Sequence, residues 1–72
     1  MKHSLYNLIY SDNDIIVVDK ASGVLTIPDR FDKSLPNLRS LLEQRFGRIY
    51  VVHRLDKETS GIVVFARNPE TH

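Results

Sequence analysis

The stretch Ile49–Ala66, IYVVHRLDKETSGIVVFA, has two apolar runs on either side of a polar connection. The runs, Ile49–Val52 and Ile62–Ala66, are rich in β-branched residues, which favour strands that pack within a sheet. The connection, His53–Gly61, combines ionisable side chains, hydroxyls and a glycine, and loops at strand ends often carry functional sites. The stretch therefore predicts two buried strands joined by a candidate functional loop, which we call the motif loop.

One amphipathic helix is predicted ahead of this stretch, between Ser34 and Gly47. Ser34 suits the N-cap, Pro36 suits the first turn because its missing N–H costs nothing there, and Gly47 suits the stop. Apolar residues recur at spacings of three and four, which is typical of one helix face: Leu35, Leu38, Leu41, Leu42 and Phe46. This stripe is expected to cover a sheet.

The N-terminal part of the sequence predicts a β-hairpin. Tyr6–Tyr10 and Ile15–Asp19 are short β-prone runs, and Ser11–Asp14 between them is rich in turn formers. Val24–Ile27 follows as a short extended piece, which Pro28 excludes from being a central strand.

The order of these elements suits an α+β fold better than strict βαβ alternation. We predict a mixed, largely antiparallel sheet with one covering helix, a turn at Lys20–Gly23 and a polar loop at Asp29–Lys33. Ile62–Ala66 is expected to be a central strand, yet few residues follow it to cover its far face or edge. Residues 1–72 are therefore expected to be the N-terminal fragment of one larger domain.

Composition limits the classes of site. The 72 residues include no cysteine, which excludes disulfides and thiolate zinc sites and is compatible with the reducing cytosol. The soft metal ligands are His3, His53 and His72, and no metal site is predicted. Met1–Tyr10 contains no apolar run long enough for a signal peptide or a membrane span. The sequence predicts a cytoplasmic protein without a membrane partner.

Charge gives a mixed indication about nucleic acid. Ten Lys and Arg against nine Asp and Glu give a formal charge of +1, far short of the excess expected of an autonomous nucleic-acid binder. Local placement matters more, because Arg45, Arg48, Arg54 and Lys57 are expected to form a basic patch near the motif loop.

Two known catalytic patterns fail on spacing in the motif loop. A kinase catalytic loop needs His-Arg-Asp with Asn five residues after the Asp, whereas Leu55 intervenes here and position 61 is glycine. A serine nucleophile elbow around Ser60 needs glycine two residues before and two after, whereas Glu58 and Ile62 occupy those positions.

The motif loop and the strand after it resemble the RluA-like family of RNA pseudouridine synthases. That family's signature is His-Arg-Leu-Asp, two variable residues, Thr-Ser-Gly and an apolar strand ending in Ala, and every defined position matches between His53 and Ala66. An earlier family segment, Lys-Pro-x-Gly followed by a proline, corresponds to Lys20–Gly23 and Pro28. Ala21 replaces the family's proline, which removes a fixed φ from this loop.

The resemblance implies an isomerase that needs no cofactor. Pseudouridine formation breaks the N-glycosidic bond of a uridine in RNA, turns the base and rejoins it to the same sugar through carbon. Uracil leaves as a delocalised anion, so one carboxylate suffices where glycoside hydrolysis uses two. The resemblance places Asp56 in that role, either attacking the sugar carbon or removing a sugar proton, and both routes stay open.

Other residues of the motif loop receive supporting roles from the same resemblance. Arg54 is the candidate to bond phosphate or stack on bases when the target uridine leaves its stack. His53 is expected to be a hydrogen-bonded residue at a strand end, with direct RNA contact as the alternative. The turn that aims the catalytic carboxylate is expected to be shaped by Thr59, Ser60 and Gly61.

The resemblance covers only the first part of the family's catalytic domain. Later family motifs, including an active-site Tyr and a basic residue, have no counterpart in these residues. The isolated chain is therefore expected to be inactive and either poorly folded or self-associated. Two other functions stay open: an RNA-binding module without catalysis, and an interaction fragment whose apolar strands self-associate. The substrate, ribosomal or transfer RNA, also stays open.

Overall fold

The computed structural model describes residues 5–71, so His3 and His72 lie outside the described residues. It contains four strands and one helix: β1 Tyr6–Ser11, β2 Ile15–Lys20, α1 Leu38–Phe46, β3 Tyr50–Val51 and β4 Gly61–Ala66.

The strands form one sheet in the order β1-β2-β4-β3, with every neighbouring pair antiparallel. The β2–β4 ladder runs from Ile15 opposite Ala66 to Lys20 opposite Gly61, so β4 is central. A parallel bridge joins Leu25 in the extended piece to Asn37. The predicted α+β class, the hairpin and the central position of the last strand are confirmed.

The hairpin turn is organised by one carboxylate. Asp12 Oδ1 accepts hydrogen bonds from the backbone N–H groups of Asp14 at 2.8 Å and Ile15 at 2.9 Å, which is how a short acidic side chain stabilises a tight turn. The pairing of β1 with β2 shifts register between Leu8 and Tyr10. This irregularity lies on the edge strand, where bulges hinder pairing with another chain.

The core lies between α1 and one face of the sheet. Alternate residues of β2 and β4 are buried together with α1 and the segments beside it: Ile16, Val18, Val24, Leu38, Leu42, Ile49, Val63 and Phe65. The expectation that the last two apolar runs are buried strands is wrong in part. β3 comprises two residues, and Ile62 of β4 is 52% exposed, because successive strand residues face opposite sides and α1 covers one side.

The helix begins later than Ser34. Its N-cap is Asn37, whose Oδ1 accepts from Ser40 N at 2.8 Å. Ser34 instead donates its backbone N–H to Asp32 Oδ1 at 3.0 Å, so the assignments of Ser34 as N-cap and Pro36 as first turn are wrong. The stop at Gly47 is confirmed, with φ of 85° and its N–H bonded to the Glu43 carbonyl.

The late start has a tertiary cause. Leu25 donates its N–H to the Pro36 carbonyl at 3.3 Å and accepts from Leu38 N at 2.8 Å. These bonds hold the chain ahead of α1 against the extended piece, so Leu35 lies outside the helix. Of the predicted stripe, Leu38 and Leu42 are fully buried.

Candidate functional site

The motif loop forms one wall of an open cavity of about 270 Å³. Arg54–Lys57 line this wall, and Leu25–Ile27 of the extended piece line the other. The structure therefore brings the predicted catalytic Asp56 and the predicted RNA-binding Arg54 to one cavity. The opposite wall was not predicted from the sequence as part of the site.

Thr26 ties the two walls together. Its Oγ1 donates to the Leu55 carbonyl at 3.1 Å and lies 3.2 Å from Leu55 N, from which it accepts. Thr26 is buried, and Leu55 packs against the core. Because Leu55 stands between Arg54 and Asp56, these bonds fix the backbone from which both side chains reach the cavity.

Lys20 anchors the motif loop from beneath. This side chain is 1% exposed, and its ammonium donates to the carbonyls of Ala21 at 3.1 Å, Val24 at 2.5 Å and Lys57 at 3.0 Å. Burial lowers the pKa of Lys20, and the nearby negative charges of Glu58 and Asp56 partly oppose that shift. All three ammonium donors are used, which offsets the cost of burying the charge.

Two further bonds join the turn after β2 to the motif loop. Gly23 N donates to the Lys57 carbonyl at 2.7 Å, and Ser22 Oγ donates to the Glu58 carbonyl at 2.7 Å. The predicted turn is present, but its connection to the motif loop was missed from the sequence. We call Lys20, Ser22, Gly23 and Thr26 the clamp. The one available signal was that the segment Lys20–Gly23 and the motif loop both match the same family.

His53 continues the edge of the sheet beyond β3. Its Nε2 accepts a hydrogen bond from Val64 N of β4 at 3.0 Å, which requires the imidazole to be neutral at that nitrogen. The predicted position at a strand end, with a hydrogen-bonded ring, agrees with this geometry. Direct contact of His53 with RNA stays a prediction.

A tight turn begins at Asp56. Thr59 N donates to the Asp56 carbonyl at 3.0 Å, so the backbone of Thr59 shapes the turn. Within residues 5–71 no side-chain hydrogen bond of Thr59 or Ser60 accompanies it, which differs from the expectation that their hydroxyls bond local backbone. Gly61 has φ of 145°, a conformation that other residues rarely adopt.

Replacing Gly61 with Ala is expected to destabilise the protein by about 1–3 kcal/mol through backbone strain alone. The added Cβ would lie 3.5 Å from Leu55 Cδ1, which is an ordinary contact. Urea denaturation of Gly61→Ala beside Ser60→Ala, an exposed neighbour, measures the difference. Equal stability of the two variants would show that the positive φ carries no cost.

The expectation that Arg45, Arg48, Arg54 and Lys57 form one basic patch is wrong. The antiparallel pairing of β3 with β4 separates the first two residues from the last two. Tyr50 pairs with Ala66, so Arg45 and Arg48 precede β3 at the sheet end opposite Gly61 and the motif loop. A six-residue strand such as β4 spans about 16 Å. At that far end the Arg45 and Arg67 guanidinium carbons lie 5.1 and 5.3 Å from the centre of the Phe46 ring. Only Arg54 and Lys57 of the four lie at the cavity.

Residues 5–71 contain neither a cluster of metal ligands nor a membrane-spanning helix. No group of three or more His, Cys, Asp or Glu side chains in this part of the chain is arranged to hold a metal ion. No helix there is both long and apolar enough to cross a membrane.

Comparisons with known proteins show which family this chain is similar to. A model of the RNA pseudouridylate synthase family matches residues 14–72. The dual-specificity RNA pseudouridine synthase RluA of Vibrio vulnificus is 43% identical over 61 residues, covering 85% of this chain and 24% of the relative. The RluA of Haemophilus influenzae is 42% identical over 60 residues, covering 83% and 27%.

A relative that is named for the large ribosomal subunit also matches. The ribosomal large subunit pseudouridine synthase D of Buchnera aphidicola is 37% identical over 67 residues, covering 86% of this chain and 22% of the relative. The chain spans about a quarter of the length of the curated relatives it matches.

Proposed function

The chain belongs to the RNA pseudouridylate synthase family, and on that premise we propose that the protein carrying it converts uridine to pseudouridine within RNA. The observation that carries the proposal is that Asp56 and Arg54 line the same cavity, between the motif loop and the extended piece. We further propose that residues 1–72 form the N-terminal part of one catalytic domain. This chain covers 24% of the length of the Vibrio vulnificus relative, which supports the proposal. We use the term parent protein for a chain of the relatives' length that carries these residues.

The proposed reaction is an isomerisation. The bond from the sugar C1′ to uracil N1 breaks, the bond from C1′ to uracil C5 forms, the C5 proton leaves and a proton is taken up at N1. No electrons are gained or lost overall. Asp56 either forms a transient ester with the sugar carbon or removes a sugar proton. The clamp holds the backbone on both sides of Asp56, so the carboxylate is presented from a fixed position.

Arg54 is proposed to hold the RNA when the target uridine leaves its stack. Extruding a base costs a few kcal/mol, and a planar guanidinium can offset this by stacking or by bidentate bonding to phosphate. Within residues 5–71 the ion pair is Arg39–Glu43. Arg54 therefore has no ion-pair partner in this part of the chain that would compete with RNA phosphate. Its place on the cavity wall supports contact with the substrate.

Arg54→Ala in the parent protein is expected to lower kcat/KM by about tenfold or more, a loss within the range for a base-stacking side chain. Arg45→Ala is the matched control, because Arg45 stacks on Phe46 at the far end of the sheet. It should change kcat/KM by less than about threefold, as a peripheral charge contributes little. Steady-state turnover at two salt concentrations measures both variants.

Equal losses for both variants that disappear at low salt would contradict a specific role. Arg54 would then contribute only general attraction for the phosphate backbone.

The enzyme is favoured over an RNA-binding or self-associating module because the relatives are named as pseudouridine synthases. The proposed substrate is ribosomal or transfer RNA, and a relative named for the large ribosomal subunit supports the first. A cytoplasmic location and the self-association and inactivity of the isolated chain stay predictions.

A further inference from the structure

Phe31 stands out on the surface of the loop that follows the extended piece. It is 90% exposed, the most exposed large hydrophobic residue in the part of the chain that the structure describes. Exposed Arg30 and Lys33 flank it in the loop after the extended piece. An isolated aromatic between polar neighbours is not the contiguous apolar patch that marks a protein interface.

The loop around Phe31 is held in shape by its own carboxylates. Asp29 Oδ2 accepts from the backbone N–H groups of Phe31 at 2.9 Å and Asp32 at 2.8 Å. Asp32 in turn accepts from the backbone N–H and the hydroxyl of Ser34, and the hydroxyl bond is the main reason that the pKa of Asp32 is lowered. The loop is thus preorganised, which reduces the entropy lost on binding.

The acidic and basic side chains of this loop therefore differ in how they are used. The two carboxylates bond groups within the loop, whereas the described part of the chain contributes no carboxylate within 4.0 Å of Arg30 or Lys33. The two cations remain available to phosphate, the group that dominates electrostatic binding of nucleic acids.

The loop also lies close to the cavity. Ile27 lines the wall opposite Arg54 and Lys57, and Phe31 is four residues further along the chain, at most about 14 Å away in extended conformation. An RNA strand that places a uridine at Asp56 can therefore reach this loop with a nearby nucleotide.

We propose that Phe31 stacks on an unpaired base that flanks the target uridine, while Arg30 and Lys33 contact the neighbouring phosphates. Aromatic rings bind unpaired bases through their faces, and cations along the strand bind its backbone. The inference rests on the proposed function, because it requires RNA at the cavity. It adds an RNA contact made by residues that do not belong to the motif loop.

The test compares Phe31→Leu and Phe31→Tyr in the full chain of the parent protein. Fluorescence anisotropy measures binding of a labelled RNA hairpin with a uridine in its loop, and thermal unfolding reports stability. Phe31→Leu should bind about 5- to 30-fold more weakly, as expected for loss of one stacked base, and Phe31→Tyr should retain affinity. Both should unfold at the wild-type temperature, since the side chain is exposed.

Tyr10→Leu is the matched control, because Tyr10 is a 51%-exposed aromatic next to the hairpin turn at the other end of β2. It should leave RNA affinity unchanged. Unchanged RNA affinity of Phe31→Leu would overturn the inference. A lower unfolding temperature of Phe31→Leu would also overturn it, because it would mean that Phe31 packs against protein. If the wild-type protein modifies RNA and Phe31→Leu binds RNA with normal affinity, this inference alone is wrong. If the wild-type protein neither binds nor modifies RNA, the proposed function is wrong as well.

Discussion

Asp56→Asn is expected to abolish pseudouridine formation by the parent protein, with turnover falling by about 10²–10⁴-fold or more, the range for loss of a group that acts in the transition state. The amide has the size of the carboxylate but neither attacks the sugar nor accepts its proton. Asp56 is exposed, and no hydrogen bond within residues 5–71 ends at its carboxylate. The fold and the RNA affinity should therefore be nearly unchanged.

Release of tritium from RNA labelled at uracil C5 measures turnover directly, because the C5 proton leaves in the reaction. Glu58→Gln is the matched control, since it neutralises another exposed carboxylate of the motif loop. Glu58→Gln should retain activity within a few-fold. Asp56→Asn with turnover within tenfold of wild type and unchanged binding would show that another group performs the chemistry.

Lys20→Met is expected to lower the free energy of unfolding by about 2–3 kcal/mol, the cost of leaving a buried acceptor without its donor. In this variant the Ala21 carbonyl still accepts from Val24 N, and the Lys57 carbonyl still accepts from Gly23 N. The Val24 carbonyl loses its short hydrogen bond to the Lys20 ammonium. Met is unbranched and one atom shorter than Lys, so the lost volume is small. The loss is large beside the roughly 5–15 kcal/mol that stabilises a typical folded protein, and it is measured in the parent protein.

Urea denaturation measures the stability of Lys20→Met, and amide hydrogen exchange at Gly23 reports whether the motif loop has separated from the clamp. In the parent protein, kcat should fall more than RNA affinity, because Lys20 positions the loop and lies beneath the surface. Lys57→Met is the matched control for stability, since that lysine is exposed in the same loop, and it should leave the free energy of unfolding unchanged. Wild-type stability and exchange in Lys20→Met would contradict the role of the ammonium.

Local sequence patterns predicted the parts of the fold that depend on local physics. The hairpin at Ser11–Asp14, the stop at Gly47 and the central position of Ile62–Ala66 follow from turn chemistry and β-branched runs. Asp56 and Arg54 were predicted as residues of one site from the resemblance of their loop to the family signature, and both line one cavity.

Tertiary contacts decided the parts that the sequence did not predict. Ser34 is a good N-cap residue, but the bonds of Leu25 to the chain ahead of α1 displace the helix start to Leu38. Lys20 belongs to a residue type that is usually exposed, and its burial depends on carbonyls that converge only in the folded chain. Neither the periodicity of apolar residues nor the spacing of motifs in the sequence predicts that these carbonyls meet at one point.

The bonds of the clamp join residues far apart along the chain, with a sequence separation of 37 for Lys20 and Lys57 and of 29 for Thr26 and Leu55. Closing loops of that length costs entropy before any contact compensates for it, and contacts of high sequence separation form slowly. Pairing of β2 with β4 joins residues still further apart, from 41 positions for Lys20 and Gly61 to 51 positions for Ile15 and Ala66. The central strands and the site therefore depend on contacts of similar range, and we expect the site to be acquired together with the sheet, late in folding.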